Sequence, residues 1–168
     1  MDQLTEQEFL RLIEKHKGIL HKVARMYMDT PQDREDLHQE IIIQLWKSCN
    51  SFKGNSEFSS WMYRVAINTA ISYFRKEKKR NDTVAYEQAG EPENENYDPA
   101  KDRQLELFYQ AVQQLNPVEK ALIFYFMEGL SHRETAGHLG ISEVNVRVKL
   151  NRTKEKLQLI IKQSGYES

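Results

Sequence analysis

The chain has 168 residues, 39% hydrophobic and 29% charged, with a formal net charge of −1. That is the balance of a soluble globular protein with room for one large domain or two small ones. No apolar run approaches the ~18 residues of a membrane span, and the N-terminus MDQLTEQEF is acidic and polar, so neither a span nor a signal peptide is expected. The single Cys49 excludes an internal disulfide and fits a reducing, cytoplasmic setting; no Cys/His spacing suits a metal, and no cofactor is expected.

The near-zero charge conceals a segregation. Residues 1–80 carry +3, residues 81–100 carry −6 and residues 101–168 carry +2. Two mildly basic blocks are thus joined by an acidic strip.

Thr5–Lys17 places Phe9, Leu12, Ile13 and His16 at helical spacing, and Ile19–Met28 does the same with Ile19, Leu20, Val23, Ala24 and Tyr27. Two amphipathic helices broken near Gly18 are expected, with His16 and His21 as packing or surface residues. Thr30-Pro31-Gln32-Asp33 is a helix start: a capping Thr, Pro at the first position and an acid near the positive end of the dipole. This helix runs to about Ser48 with a stripe of Leu37, Ile41, Leu45 and Cys49. Asp36, Gln39, Glu40 and Gln44 form a polar ridge away from it. The ridge is either solvated surface or a docking face for a basic partner.

Asn50–Ser60 is turn-rich and contains Phe52 and Phe58, which should anchor the loop inward or stack on something. Ser60–Lys79 is apolar on nearly every side, as a helix central to its bundle would be. Arg64 and Asn68 lie one turn apart on it, and it ends in Arg75-Lys76-Glu77-Lys78-Lys79-Arg80. Rings interleaved with Arg and Asn beside a basic tail are the ingredients of a single-strand-binding surface; a core helix with a solvated end is the alternative.

Asn81–Ala100 holds Gly90, Pro92, Pro99, several Asn and six acids without periodicity, the composition of a flexible linker. Asp102–Leu115 and Pro117–Glu128 read as helices, the second opened by Asn116-Pro117. In Gly129–Leu157, Ser131 and Glu134 form a capping box, Gly140 a left-handed stop and Ser142 a new cap. The result is a helix-turn-helix pattern. Stepping ~100° per residue along its second helix puts Val146, Leu150, Thr153 and Leu157 on one face. Val144, Val148, Asn151 and Arg152 lie roughly opposite, flanked by Arg147, Lys149, Lys154 and Lys156. Arg for guanine, Asn for adenine and a methyl group for thymine are what a major groove asks of a helix. A merely solvated basic face is the alternative, but Ser142–Lys156 has five basic residues against two acidic ones. The expected architecture is all-α: helical domains at 1–80 and 102–168 joined by a linker at 81–101.

This order resembles the sigma-70 family, specifically the two-domain extracytoplasmic-function (ECF) group. Asp33–Trp46, DREDLHQEIIIQLW, is similar to the family's polymerase-docking helix, and Phe52–Asn68 to the segment that opens and reads the −10 element. Leu115-Asn116-Pro117 is similar to the start of its second domain, and Glu128–Leu157 to its −35 reader. The resemblance implies that Asp36, Gln39 and Glu40 dock on the beta-prime clamp helices of core RNA polymerase, with the beta flap as a further contact. It implies that Phe52, Tyr63, Arg64 and Asn68 hold non-template bases, with Trp61 as wedge or support. Arg75, Lys76, Lys78, Lys79 and Arg80 would follow the upstream backbone. Arg147, Val148, Asn151 and Arg152 would face the −35 groove, with Lys149 and Lys154 on phosphates. An anti-sigma partner is implied by the family alone. Glu143-Val144-Asn145 departs from the family's small-Gly-Thr opening, and Val148 stands where Ser is common, which bears on the −35 sequence preferred. No catalysis is expected. The rival readings are a stand-alone helix-turn-helix regulator, which has no use for the Phe52–Asn68 constellation, and a recombinase, which needs a placed Ser or a carboxylate triad.

Overall fold

The computed structural model describes residues 4–52, 54, 57–81 and 99–164. The described residues form helices and turns with no strand, and they fall into two units divided along the chain between Glu87 and Gln88. The acidic stretch 82–98 lies outside the described residues, and with it most of the expected linker.

In the first unit, α1 (Glu6–Lys15) starts at a reciprocal capping box in which Thr5 and Glu8 satisfy each other's backbone N–H groups. It ends at His16, whose N–H is shared between the Leu12 and Ile13 carbonyls, and α2 (Lys17–Tyr27) begins at once. The break is therefore at His16. Gly18, the expected breaker, sits within the first turn of α2. Thr30 caps α3 (Pro31–Ser48) through Asp33 N–H, and Arg34 donates to the Met28 and Asp29 carbonyls at the end of α2. After a 3₁₀ turn at Cys49–Ser51 comes α4 (Phe58–Asn81), longer at both ends than expected.

Leu37, Ile41 and Leu45 on α3 are fully buried, as are Met62, Ala66, Ile67 and Ala70 on α4 and Leu20 and Val23 on α2. Each large side chain among them contributes about 1.5–3 kcal/mol by leaving water. α4 packs on both α2 and α3 and so is central to the unit, but its outer face, with Arg64, Asn68, Ser72, Arg75 and Lys76, is exposed.

Between α2 and α3 the rings of His21 and His38 stack at 4.8 Å with planes 13° apart, and His38 Nε2 is buried without a partner among the described residues. Burial first, then His21, lower the pKa of His38 from 6.5, with Glu35 opposing. His16 is lowered as well, by burial and Lys15. The unfolded chain therefore takes up these protons at a higher pH than the folded one, and stability drains away as pH falls through 6.5 toward the depressed native values. Melting of the first unit should occur at lower temperature at pH about 5.5 than at about 7.5, above the carboxylate range. His38→Phe should flatten that dependence in thermal scans; an unchanged slope would rule His38 out as its source.

In the second unit, α5 (Pro99–Val112) opens at Pro99, three residues earlier than expected. α6 (Pro117–Met127) starts at a reciprocal box between Asn116 and Glu119. Ala121 to Tyr125 are all buried, so α6 is enclosed on nearly every side. Buried Lys120 is held by Gln113, its Nζ donating to Oε1 at 3.2 Å. α7 (His132–Leu139) and α8 (Glu143–Gln163) complete the unit and carry the predicted site.

Candidate nucleic-acid interface

The α7–turn–α8 geometry follows from three residues. Ser131 caps α7 by accepting the Glu134 N–H, and its hydroxyl donates to the Glu134 carboxylate at 3.2 Å; the carboxylate does not reach the Ser131 N–H, so the cap forms without the reciprocal box expected there. Gly140 adopts φ 70°, which an L side chain resists, and its N–H bonds the Ala136 carbonyl at 2.9 Å. Ser142 caps α8 by accepting from Asn145 N–H. His138 Nδ1 lies 3.1 Å from the hydroxyl of buried Tyr125, tying α7 to α6.

On α8 the inner face is buried as its periodicity predicts: Val146 1%, Leu150 4%, Thr153 1% and Leu157 8% exposed. Thr153 turns its hydroxyl back to the Lys149 carbonyl at 2.7 Å, which lets a polar residue sit there. Val144, Arg147, Val148, Lys149, Asn151 and Arg152 are all exposed. Two of the basic side chains are committed elsewhere. Lys154 Nζ lies 3.6 Å from the centroid of the Phe126 ring, and Lys156 Nζ is 3.0 Å from Glu119 Oε1. Arg147, Lys149 and Arg152 have no ion-pair partner among the described residues; Lys149 and Arg152 line a shallow groove against Asn116, Val118 and Glu119.

In the first unit the aromatic loop is anchored inward. Phe52, Phe58 and Trp61 form a three-ring cluster with centroids 5.3–5.6 Å apart, and His16 packs on Phe58 at 5.8 Å. Trp61 Nε1–H donates to Ser51 Oγ at 3.3 Å, while that hydroxyl donates to the Ser48 carbonyl at 2.6 Å. Phe58 is buried, whereas Phe52 and Trp61 are half-buried. At ~100° per residue Trp61, Arg64, Asn68 and Arg75 share the outer face of α4, with Lys76 at its edge. Half-buried Tyr63 lies toward the opposite, core-facing side and is not brought together with them.

The three docking candidates also divide. Asp36 and Glu40 lie on the α4 side of α3, each held by a glutamine four residues away: Gln32 Nε2 donates to Asp36 Oδ1 at 3.0 Å, and Gln44 Nε2 to Glu40 Oε1 at 2.9 Å. Gln39 points outward beside Ile43 and Trp46, each 46% exposed; the Trp46 ring also packs edge-on against Phe9 at 5.1 Å.

Between α3 and α4 runs a groove of about 510 Å³ lined by Glu40, Gln44, Asn68, Thr69, Ser72, Tyr73 and Lys76. Thr69, Ser72 and Tyr73 were not among the sequence candidates. Ser72 follows Asn68 by one helical turn, which is the signal that would have found it. Burial, then Glu77, Asp36, Asp33 and Glu40, push the Tyr73 phenol above its ordinary value, so four carboxylates act on this groove.

Two family models match the chain in order: sigma-70 region 2 over residues 12–80 and sigma-70 region 4 over residues 105–157. The chain belongs to the sigma-70 family, in its ECF group. It is 28% identical over 160 residues to the ECF RNA polymerase sigma factor SigM of Mycobacterium tuberculosis, covering 91% of this chain and 76% of SigM. It is 26% identical over 180 residues to the ECF RNA polymerase sigma-E factor of Escherichia coli, covering 93% and 94%. The solved RpoE of Bartonella quintana, in complex with the anti-sigma factor NepR, has the same fold at a TM-score of 0.72 and 22% identity, over 93% of this chain and 98% of that one. CnrH, in complex with the cytosolic domain of CnrY, matches at a TM-score of 0.67 and 19% identity, over 95% and 90%. Region 2 thus contains the α3/α4 groove and the aromatic cluster, and region 4 contains the α7–turn–α8 helix-turn-helix. No helix among the described residues is long and apolar enough to cross a membrane.

Proposed function

We propose that this sigma-70 family member binds core RNA polymerase and directs it to promoters, reading duplex DNA at −35 and captured single-stranded DNA at −10. The observation that carries this reading is the occurrence of both regions in order on one chain, each with an exposed polar face. Residues 1–80 act as the docking and opening module, residues 102–168 as the −35 module and residues 81–101 as the connection. Asp36, Gln39 and Glu40 meet a basic surface of the polymerase. Trp61 supports the loop from which Phe52 comes, while Arg64 and Asn68 meet unstacked bases and Arg75 and Lys76 follow phosphates. Tyr63, turned toward the core, has the weakest claim to a base. Unstacking costs a few kcal/mol per base and is offset by contacts the flipped bases gain. On α8, Arg147, Val148, Asn151 and Arg152 read base edges, with Lys149 on a phosphate; Lys154, drawn onto Phe126, shapes the reader more than it extends it. These roles are binding roles, and the chain performs no chemistry. The anti-sigma factor held by RpoE of Bartonella quintana supports a protein inhibitor for this chain too.

The deciding experiment is transcription in vitro with core polymerase: adding the chain should start RNA synthesis at defined promoters. A stand-alone regulator would instead bind duplex DNA unaided and leave initiation by core polymerase unchanged. Within the −35 module, Asn151→Ala should relax preference at one base pair by about 1–3 kcal/mol, since a bidentate amide contact discriminates by that much. Binding selection on randomised −35 duplexes reads this directly, and an unchanged base preference would remove Asn151 from the reading set.

A further inference from the structure

The groove between α3 and α4 is lined by residues from both proposed surfaces: Glu40 and Gln44 from the docking helix, and Asn68, Thr69, Ser72, Tyr73 and Lys76 from the strand-reading helix. A single strand that reaches Asn68 and Lys76 must bring its phosphates past a carboxylate. Glu40 is not swung away, because its Oε1 accepts from Gln44 Nε2 at 2.9 Å. Nor is it neutralised in place, since Glu40 and Lys76 form no ion pair among the described residues. Asp33, Asp36 and Glu77 add to the same field, as their effect on the Tyr73 phenol records.

We propose that Glu40 also acts on DNA, its carboxylate holding single strands off the α3/α4 groove until a cationic protein surface covers it. The proposal rests on the sigma-factor reading above and adds to it a reason for order. Docking a basic surface on Asp36 and Glu40 removes the charge that repels the strand, so capture follows docking. The residue that joins the polymerase is then also a selectivity element of the DNA site.

The test uses the full chain without polymerase and a short fluorescein-labelled single-stranded DNA of random sequence, followed by fluorescence anisotropy. E40Q should bind about fivefold to tenfold more tightly than the parent, the scale expected for one charge removed near a phosphate at intermediate dielectric. Q44E, which adds an acid to the same rim, should weaken binding by a similar factor. Glu6→Gln removes a charge from an exposed position on α1 and should change little. E40Q binding no more tightly than the parent, or Glu6→Gln tightening it equally, overturns the proposal. If E40Q fails to fold, Q44E decides, and an undiminished affinity overturns it. Transcription with core polymerase separates the two levels. A parent chain that directs initiation while E40Q fails the oligonucleotide test loses this inference alone; a parent chain that does not join core polymerase loses the sigma reading as well.

Discussion

Asn68→Ala should leave closed-complex formation near the parent level and reduce the yield of open complexes by about five- to 150-fold, the equivalent of the about 1–3 kcal/mol that a bidentate amide–base contact discriminates by. Asn68 is exposed on α4 and lines the α3/α4 groove, so its removal leaves the buried contacts of Met62, Ala66, Ile67 and Ala70 intact. Closed complexes draw on duplex contacts from α8 and on phosphates, which the substitution does not touch. Open complexes require an unstacked base to find a partner, and the amide supplies both donor and acceptor. Promoter binding at low temperature and permanganate reactivity of unpaired thymines at higher temperature measure the two stages separately. Equal losses in both would remove Asn68 from strand capture and return it to general affinity or stability.

Leu150→Ala should destabilise the second unit by about 2–5 kcal/mol, the cost of a cavity left by a buried leucine. Leu150 is 4% exposed on the inner face of α8, between Val146 and Thr153. A unit of this size has a total stability on the order of 3–10 kcal/mol, so much of the −35 module should unfold near physiological temperature. Val144→Ala, on the same helix but 58% exposed, should shift stability by less than about 0.5 kcal/mol. Calorimetry on the two variants distinguishes burial from helix propensity: similar shifts would mean that α8 does not pack as described.

The helix-turn-helix of the second unit was legible because its signals are local. Ser131, Gly140 and Ser142 fix the turn through bonds within a few residues, and the 3.6-residue period of Val146, Leu150 and Leu157 suffices to orient α8. The first unit was less legible where tertiary partners decide. Gly18 is the usual sequence sign of a helix break, yet the chain breaks at His16, and a glycine in a first turn carries little penalty. On α4 nearly every position is apolar or aromatic, so periodicity alone could not say which side meets α2 and α3. That left Tyr63 grouped with Arg64, although it turns toward the core, and left Tyr73 unassigned, although it lines the groove. The two loop phenylalanines were expected to anchor inward or stack. They do both, on each other and on Trp61. The division of the docking trio into Asp36 and Glu40 on one side and Gln39 on the other follows from helical geometry once α4 is in place.

Lys154 resting on Phe126 and Lys156 on Glu119 have a thermodynamic consequence for promoter choice. Of the five cations between Ser142 and Lys156, only Lys156 faces a carboxylate among the described residues, while Lys154 over a neutral ring keeps its charge, so four are left to displace condensed counterions from a duplex. With a slope near 0.9 per phosphate neutralised, these cations should make log affinity for the −35 duplex fall with log salt by at most about 3.6 instead of about 4.5. On the reading proposed for α8, offsetting one charge within the unit makes binding depend somewhat less on ionic strength and more on the match of base-edge contacts.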